Sequence, residues 1–425
     1  VTAPEKQDRP RGGNWSRRGV LSGLLGAPVL LVAACSGGGG KSGAAGASGS
    51  APAGGGAVTE SPSTSPKASV AQITVKPADG ATAAPFTEPV TVTVLDGTLT
   101  SVTVTDGAGR AIAGQLAADG ASWTSTAKLS SGSTYTVAAA AVDKDQRPAD
   151  ANASFSTASP ANTFVGYFTP EDGSTVGVGM PVSINFNKSI TDRKAVQQAI
   201  TVVADPPVEI VGHWFDSTRL DFRPQEYWAK GTKVTLKLRL KDVAGARGVY
   251  GTQSKDVTFT VGRSQVSTAD LKADTLTVRT DGQVTATYPV IGGAPEHRTW
   301  GGKLVISEKY QQTRMNSSTV GLGSEYDIPD VPHAQRLTTS GTFIHGNYWS
   351  PASQFGNDNT SHGCIALQDV QGGNDPSTDA AAFYASSMIG DVVEVVNSGD
   401  RTVNPGNGLN GWNMAWADWV AGSAV

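Results

Sequence analysis

The chain reads as mainly β: sandwich modules in tandem, followed by a further β-rich region, with few and short helices. Three observations predict this. Gly accounts for 51 of the 425 residues and charged residues for only 16%, and Ser, Thr and Val recur throughout, which suits β-rich extracellular modules better than helical bundles. Residues 89–94 and 181–186 alternate apolar and polar side chains with period two, as half-buried strands must. A turn signal also repeats: Pro77-Ala78-Asp79-Gly80-Ala81-Thr82 returns as Pro170-Glu171-Asp172-Gly173-Ser174-Thr175, each Asp-Gly shortly before one of those strands. The length predicts two to four domains. A net charge of -4 and a pI near 5.8 argue against nucleic-acid binding.

In chain order, residues 1–34 read as an export signal. Arg9, Arg11, Arg17 and Arg18 precede an apolar run, residues 19–34, that is too short and Gly-rich for a membrane span. It ends Leu31-Val32-Ala33-Ala34-Cys35, which resembles a bacterial lipobox and implies cleavage before Cys35 and lipid on its sulfur. Ser16-Arg17-Arg18-Gly19-Val20-Leu21 is a weaker match to a twin-arginine signal; an ordinary signal peptide with an incidental cysteine is the alternative. Residues 35–67, the lipidated cysteine and a Gly/Ser/Pro-rich stretch, cannot bury a core and read as a flexible tether. The expected location is the outer face of the cytoplasmic membrane and the cell wall, lipid-anchored, with no later segment long and apolar enough to span.

Pro77 and Pro170 are 93 positions apart, the size of one immunoglobulin-like sandwich. This assigns residues 68–158 and 159–263 to two such modules. Two cysteines are too few for a disulfide framework, so the cores rest on packing: Trp123, Tyr135 and Phe155 in the first, and Phe186, Trp214, Leu220, Phe222, Leu236, Leu238 and Phe259 in the second. Residues 234–240 form the cleanest strand and 192–200 a short helix. His213, beside Trp214, reads as a packed or exposed side chain. Neither module carries a catalytic constellation, and both read as spacers.

Residues 264–398 stay β-rich without the repeat. Strands are expected at 276–279, 284–288, 304–306 and 392–396, and a helix at 380–388. His297 and His333, in Pro-containing loops, are expected to be exposed, and Asp327 and Asp330 to be solvated. In residues 399–425, Trp412, Trp416 and Trp419 are spaced i, i+4, i+7, which makes one helical face. It reads as a brace against the preceding domain, with a sugar-binding platform as the alternative.

The chemistry concentrates in Phe343-Ile344-His345-Gly346-Asn347-Tyr348-Trp349 and Asn359-Thr360-Ser361-His362-Gly363-Cys364-Ile365, which hold two of five histidines and one of two cysteines. A thiol becomes a strong nucleophile as thiolate, and a nearby imidazole favours that form. Cys364 is the candidate nucleophile. Gly363 permits close approach of a carbonyl, and backbone N–H groups around Gly363 and Cys364 are candidates for an oxyanion hole. One histidine must be the base and the other a helper.

His345 followed 16 positions later by Ser361-His362-Gly363-Cys364 resembles the L,D-transpeptidases with a YkuD-type catalytic domain. Residues 313–321, Phe343-Ile344-His345, Trp349 and the Trp-rich tail resemble the mycobacterial-type members, and the likeness covers nearly the whole chain from Cys35. The resemblance implies a β-rich catalytic domain over residues 264–398 with a C-terminal extension over 399–425. It implies Cys364 as nucleophile and His345 as general base, oriented by the carbonyl of Gly346. It places His362 and Gly363 at the oxyanion region, and Met315, Tyr326, Trp349 and Ser361 around the substrate. The implied reaction is attack on the L,D bond of a tetrapeptide peptidoglycan stem, release of D-Ala, and transfer to an amine of a second stem to give a 3→3 cross-link. Carbapenems are implied as inhibitors, and no cofactor or metal is needed. The chain departs from the family in having Ala366 where an Asn is usual; Asn347, Asn357 and Asn359 are candidates to compensate.

Three rivals stand beside this reading. A zinc hydrolase would use His345, His362, Cys364 and a carboxylate such as Asp358. An L,D-carboxypeptidase would resolve the thioester with water. A non-catalytic lipoprotein would serve as a wall-bound spacer or binding module.

Overall fold

The computed structural model describes residues 67–425. The expected export signal, Cys35 and nearly all of the tether lie outside the described residues. Among the described residues, no helix is long and apolar enough to cross a membrane.

The first sandwich faces a four-stranded sheet, ordered Gln72–Lys76, Thr91–Leu95, Ser122–Ser125, Gly114–Leu116, with a three-stranded sheet of Gly97–Asp106, Thr134–Asp143 and Pro148–Ser156. Alternate residues point inward, so Val92, Val94, Trp123, Tyr135, Val137 and Phe155 make one core. In the second, Thr175–Val176, Ser254–Val261, Lys233–Arg239 and Ile200–Asp205 form one sheet, and Val211–Trp214, Arg219–Arg223, Val182–Phe186 and Gly166–Thr169 the other. All ten aromatic and leucine anchors expected for the two cores are buried.

The repeated turn does the same work in both modules. Asp79 Oδ1 accepts the Ser154 N–H at 2.8 Å, and Asp172 Oδ1 accepts the Thr258 N–H at 2.8 Å. The following glycines, Gly80 and Gly173, take φ values of 75° and 74°, a region that costs glycine little. Their N–H groups return to the carbonyls of Ser154 and Thr258. Each turn thus pins the start of its module to a late strand. The short helix Arg193–Gln198 begins where Asp192 caps the Ala195 N–H at 3.0 Å.

The third region pairs a five-stranded sheet with a four-stranded one. The first runs Gln283–Pro289, Thr275–Thr280, Gln265–Asp270, Val392–Val396, Gly302–Val305. The second runs Glu308–Asn316, Asp327–Arg336, Phe343–Asn347, Ile365–Gln368. Leu276, Leu304, Ile344, Ile365, Leu367, Phe383 and Val393 fill the core. The helix is Asp379–Ser386, capped by Thr378 and stopped where Ser387 is extended.

The tail departs from a single helical face. A 3-10 turn, Gly411–Asn413, and a helix, Trp416–Ala421, are separated by extended residues at Met414 and Ala415. The three tryptophans converge instead on Arg223 of the second sandwich, whose guanidinium carbon lies 4.8, 5.3 and 4.3 Å from the rings of Trp412, Trp416 and Trp419. Arg223 is buried and its Nε has no hydrogen-bond partner among the described residues, so ring faces take the place of lost hydration. Desolvation pushes its pKa down to about 10. Trp412 and Trp419 are buried, with their Nε1 groups donating to Gly179 O at 2.7 Å and Val211 O at 2.9 Å. This excludes a three-tryptophan sugar platform. The tail braces the third region, with Asn410 Oδ1 accepting the Val305 N–H, but it does so from the second sandwich. His213 is packed there, its Nδ1 2.9 Å from Trp419 O and its ring stacked on Trp419.

The second sandwich and the third region also meet directly. Gly177 and Gly179 donate to the carbonyls of Ile389 and Gly390. A Cβ on Gly177 would lie 2.2 Å from Asp391 N, so the two backbones touch. Arg263 clamps the buried Asp391 with two bonds of 3.0 and 2.9 Å. Val305 and Trp412 belong to the second sandwich's own core cluster.

Candidate active site

Parallel pairing of Phe343–Asn347 with Ile365–Gln368 sets the site. The register places His345 opposite Ala366, so Cys364, just before its strand, stands beside Phe343. The Phe343 N–H points at Cys364 Sγ at 3.4 Å. The loop before Cys364 is closed by its own atoms: Ser361 Oγ donates to Cys364 O at 2.6 Å, and the Gly363 N–H reaches Ser361 Oγ at 3.2 Å. Gly363 takes φ +99°, and a Cβ built there would lie 3.4 Å from the His297 carbonyl oxygen. Ile291 and Ala366 exchange backbone bonds of 3.0 and 2.9 Å, which fixes the strand after Cys364.

Cys364 and His345 line one cavity of about 270 Å³, together with Met315, Tyr326, Trp349, Ser361 and His362. Thus the candidate nucleophile, base and pocket residues come together. The Ser361 hydroxyl serves the turn, and Gly346 lies behind His345 with its carbonyl 2.9 Å from Nδ1. An N–H is needed to meet a carbonyl, so Nδ1 carries the proton and Nε2 is the basic atom. Trp349 stacks on His345 at 5.9 Å and 22°. Tyr326 packs against His362 at 5.0 Å, and burial with the neighbouring thiol pushes its hydroxyl up to about 12.

Burial favours the neutral forms of Cys364 and His345. Desolvation pushes the Cys364 thiol up to about 11, against smaller opposing effects of the Phe343 N–H and Arg336. Desolvation lowers His345, against the Gly346 bond and the Asp369 charge. Charge separation before substrate arrives is therefore disfavoured. The expected result is an iodoacetamide alkylation rate at Cys364 that keeps rising through pH 9 to 10, where an ordinary thiol levels off. A plateau reached near pH 7 would show a preformed thiolate–imidazolium pair instead.

Of the asparagines offered to compensate for Ala366, Asn347 lines the same cavity, whereas Asn357 and Asn359 do not. Asn347 Oδ1 accepts from Trp349 N and Ser350 N, both at 3.0 Å, and its Nδ2 donates to Ser350 Oγ. Asn357 Nδ2 donates to Ser353 O. Asn359 ties the Gly292 N–H to Leu271 O and Asp274 Oδ1. Each serves its own loop, and Ala366 presents only a methyl to the cavity.

Two histidines depart from the expected exposure. His297 is half-buried, with its ring 4.9 Å from that of His362, and Nε2 atoms of both lie near Glu325 Oε2, at 3.3 and 3.1 Å. His333 is buried in strand Asp327–Arg336 with Nδ1 2.8 Å from Asp369 Oδ2. Its φ of 48° turns the ring inward from an otherwise extended segment. Asp327 and Asp330 also have partners, the Arg314 guanidinium at 2.5 Å and the Tyr348 hydroxyl at 2.5 Å. Among the described residues, the three metal-ligand side chains that converge are His297, Glu325 and His362. Of the zinc set, His345, His362 and Cys364 line one cavity without Asp358, and their ligand atoms are not among the described groups that converge closely enough to share an ion. Sequence reasoning missed Glu325 and Asp369, which sit in polar loops without a motif.

Comparison with known proteins adds the following. The family model for a bacterial Ig domain matches residues 81–244, and that for the L,D-transpeptidase catalytic domain matches residues 264–395. The chain is 35% identical over 360 residues to L,D-transpeptidase 2 of Mycobacterium tuberculosis (strain CDC 1551 / Oshkosh), covering 84% of this chain and 85% of that protein. It is 33% identical over 361 residues to L,D-transpeptidase 5 of Mycobacterium tuberculosis (strain ATCC 25618 / H37Rv), covering 83% and 77%. A solved L,D-transpeptidase in complex with imipenem aligns at 29% identity and a TM-score of 0.46, covering 56% of this chain and 100% of that one.

Proposed function

The chain belongs to the L,D-transpeptidases, and on that premise we propose that it forms 3→3 cross-links in peptidoglycan through an acyl-enzyme on Cys364. The observation that carries the assignment of roles is the convergence of the only described thiol and a correctly tautomerised imidazole on one cavity.

Cys364 Sγ attacks the carbonyl of the L,D bond in a tetrapeptide stem as His345 Nε2 takes its proton. Burial that keeps both groups neutral beforehand makes this transfer concerted with attack. The oxyanion is met by backbone N–H groups at Gly363 and Cys364. The long Gly363 bond to Ser361 Oγ gives way to a charged acceptor. The imidazolium then protonates the leaving amine, D-Ala departs, and the thioester remains. An acceptor amine, deprotonated by His345, attacks the thioester and frees Cys364. Met315, Tyr326 and Trp349 supply the walls that hold the donor, and His362, flanked by Tyr326 and Glu325, shapes the mouth. A carbapenem enters the same path by ring opening at its lactam carbonyl.

Residues 1–34 and Cys35 carry the localisation part of the proposal. The lipobox-like Leu31-Val32-Ala33-Ala34-Cys35 supports export and lipid attachment at the outer face of the cytoplasmic membrane; these residues lie outside the described ones.

Incubation with purified tetrapeptide stems tests the reaction. Cross-linked dimers with loss of D-Ala are expected. Tripeptide stems as the sole product would assign hydrolysis instead, and no product at all would favour the non-catalytic reading.

A further inference from the structure

Asp369 and His333 are buried, bonded to each other, and unused by the acyl-transfer steps above. Asp369 follows the strand Ile365–Gln368 and is fixed on every side. Its N–H donates to Asn347 O at 3.1 Å; its Oδ1 accepts from the Val370 N–H at 2.8 Å and the Thr378 hydroxyl at 3.0 Å. Oδ2 accepts from His333 Nδ1. A Cβ built on Gly346 would fall 2.1 Å from that same Oδ2, so the carboxylate lies directly against the Gly346 α-carbon. Gly346 in turn supplies the carbonyl that holds His345 Nδ1. The contact runs unbroken from His333 through Asp369 and Gly346 to His345. His333 also sits at φ 48°, a conformation that a non-glycine residue keeps only where its surroundings over-determine it.

We propose that Asp369, held by His333, is a positioning residue for His345: it seats the Gly346 carbonyl, and its charge favours the imidazolium formed as Cys364 gives up its proton. The inference rests on the assignment of Cys364 and His345 as nucleophile and base. Several titratable groups surround the pair. Strand Asp327–Arg336 brings His333 and Arg336, the latter bonded to Glu308 and acting on Cys364. The helix brings Asp379 and Tyr384, whose ring is 5.1 Å from that of His333. Strand Glu308–Asn316 brings Lys309, over the Tyr384 ring at 4.1 Å. Of these, the Asp369 carboxylate is the one placed to act on His345.

The test is the pH profile of Cys364 acylation by a carbapenem in the full chain, followed by intact mass against time from pH 5 to 9. Asp369→Asn keeps the shape and removes the charge. Its plateau rate is expected to fall about tenfold, and its acid limb to move down by about one pH unit, because a weaker base holds its proton less well. His333→Lys leaves Asp369 in place and cancels its charge, so its limb moves in the same direction; it decides the matter if Asp369→Asn does not fold. A merely structural role would lower the plateau without moving the limb. Unmoved limbs in folded variants therefore overturn the proposal. His345→Gln separates the two layers: wild-type acylation in that variant would overturn the general-base assignment itself, whereas a slow His345→Gln beside an unshifted Asp369→Asn overturns only this inference.

Discussion

Residues 264–425 produced alone are expected to show no cooperative thermal transition, whereas residues 159–425 are expected to unfold as one unit. The reason is that the catalytic region and the second sandwich share structure rather than a linker. Cutting at 264 removes Arg263 and leaves Asp391, 1% exposed in the intact chain, without its bidentate partner. Breaking a buried pair in this way costs about 3–5 kcal/mol. Burial already raises the Asp391 pKa against the pull of Arg263; without the guanidinium the carboxyl is driven further toward its neutral form. The same cut uncovers Trp412 and Trp419, strips their Nε1 acceptors Gly179 and Val211, and deletes the Arg223 on which the tail assembles. Losing a buried tryptophan's packing costs about 3–5 kcal/mol, and domains of this kind have only about 5–15 kcal/mol in total. Differential scanning calorimetry of the two fragments decides the matter. A sharp transition for 264–425 would show that the interface is dispensable. Failure of 264–425 to fold alone would leave a detachable-spacer role to the first sandwich, joined to the second through the Phe86–Tyr250 ring contact and the Ser131 N–H bond to Asp242.

Cys364→Ala is expected to abolish acyl transfer, and His345→Gln to slow acylation by about 10²–10⁴-fold. The size of the second effect follows from the resting state. With the thiol pushed up to about 11, very little thiolate exists near neutrality, so attack depends on removal of the proton by His345 as the bond forms. Gln at 345 cannot accept that proton. An enzyme with a preformed thiolate would lose far less. The rise of alkylation rate with pH and the depth of the His345→Gln defect are thus two readouts of one arrangement, and they must agree.

The parts of this molecule that were legible in the sequence are those governed by local rules. Period two alternation located Thr91–Leu95 and Lys233–Arg239, because one face of each is buried and the other largely wet, and it also located Val182–Phe186, although there Ser183 on the polar face is buried against Asp221. The two Asp-Gly turns announced two modules, since each aspartate must answer a backbone N–H and each glycine must take positive φ. His345 and Cys364 were found because a thiol and imidazoles rarely gather in so short a span without chemistry to perform.

What was hidden depends on long-range partners. Pro332 beside His333 suggested an exposed loop, but Asp369, 36 residues on, draws the ring inward. Glu325 carries no motif and gains meaning only between His297 and His362. The spacing of Trp412, Trp416 and Trp419 implied one helix; Arg223, nearly 200 positions earlier, gathers them around a cation without one. The fusion of the second sandwich with the catalytic region rests on Gly177 and Gly179, whose missing side chains let Gly390 and Asp391 approach. In a Gly-rich chain such close approaches cannot be told from turns by sequence.

The most direct measurement is intact-mass analysis of residues 36–425 after incubation with a carbapenem, with Cys364→Ala treated in parallel. Cys364 as an acyl-accepting nucleophile predicts a gain of one drug mass in the wild type and none in the variant. An unmodified wild type, or equal labelling of both proteins, would contradict the assignment of acyl transfer to Cys364.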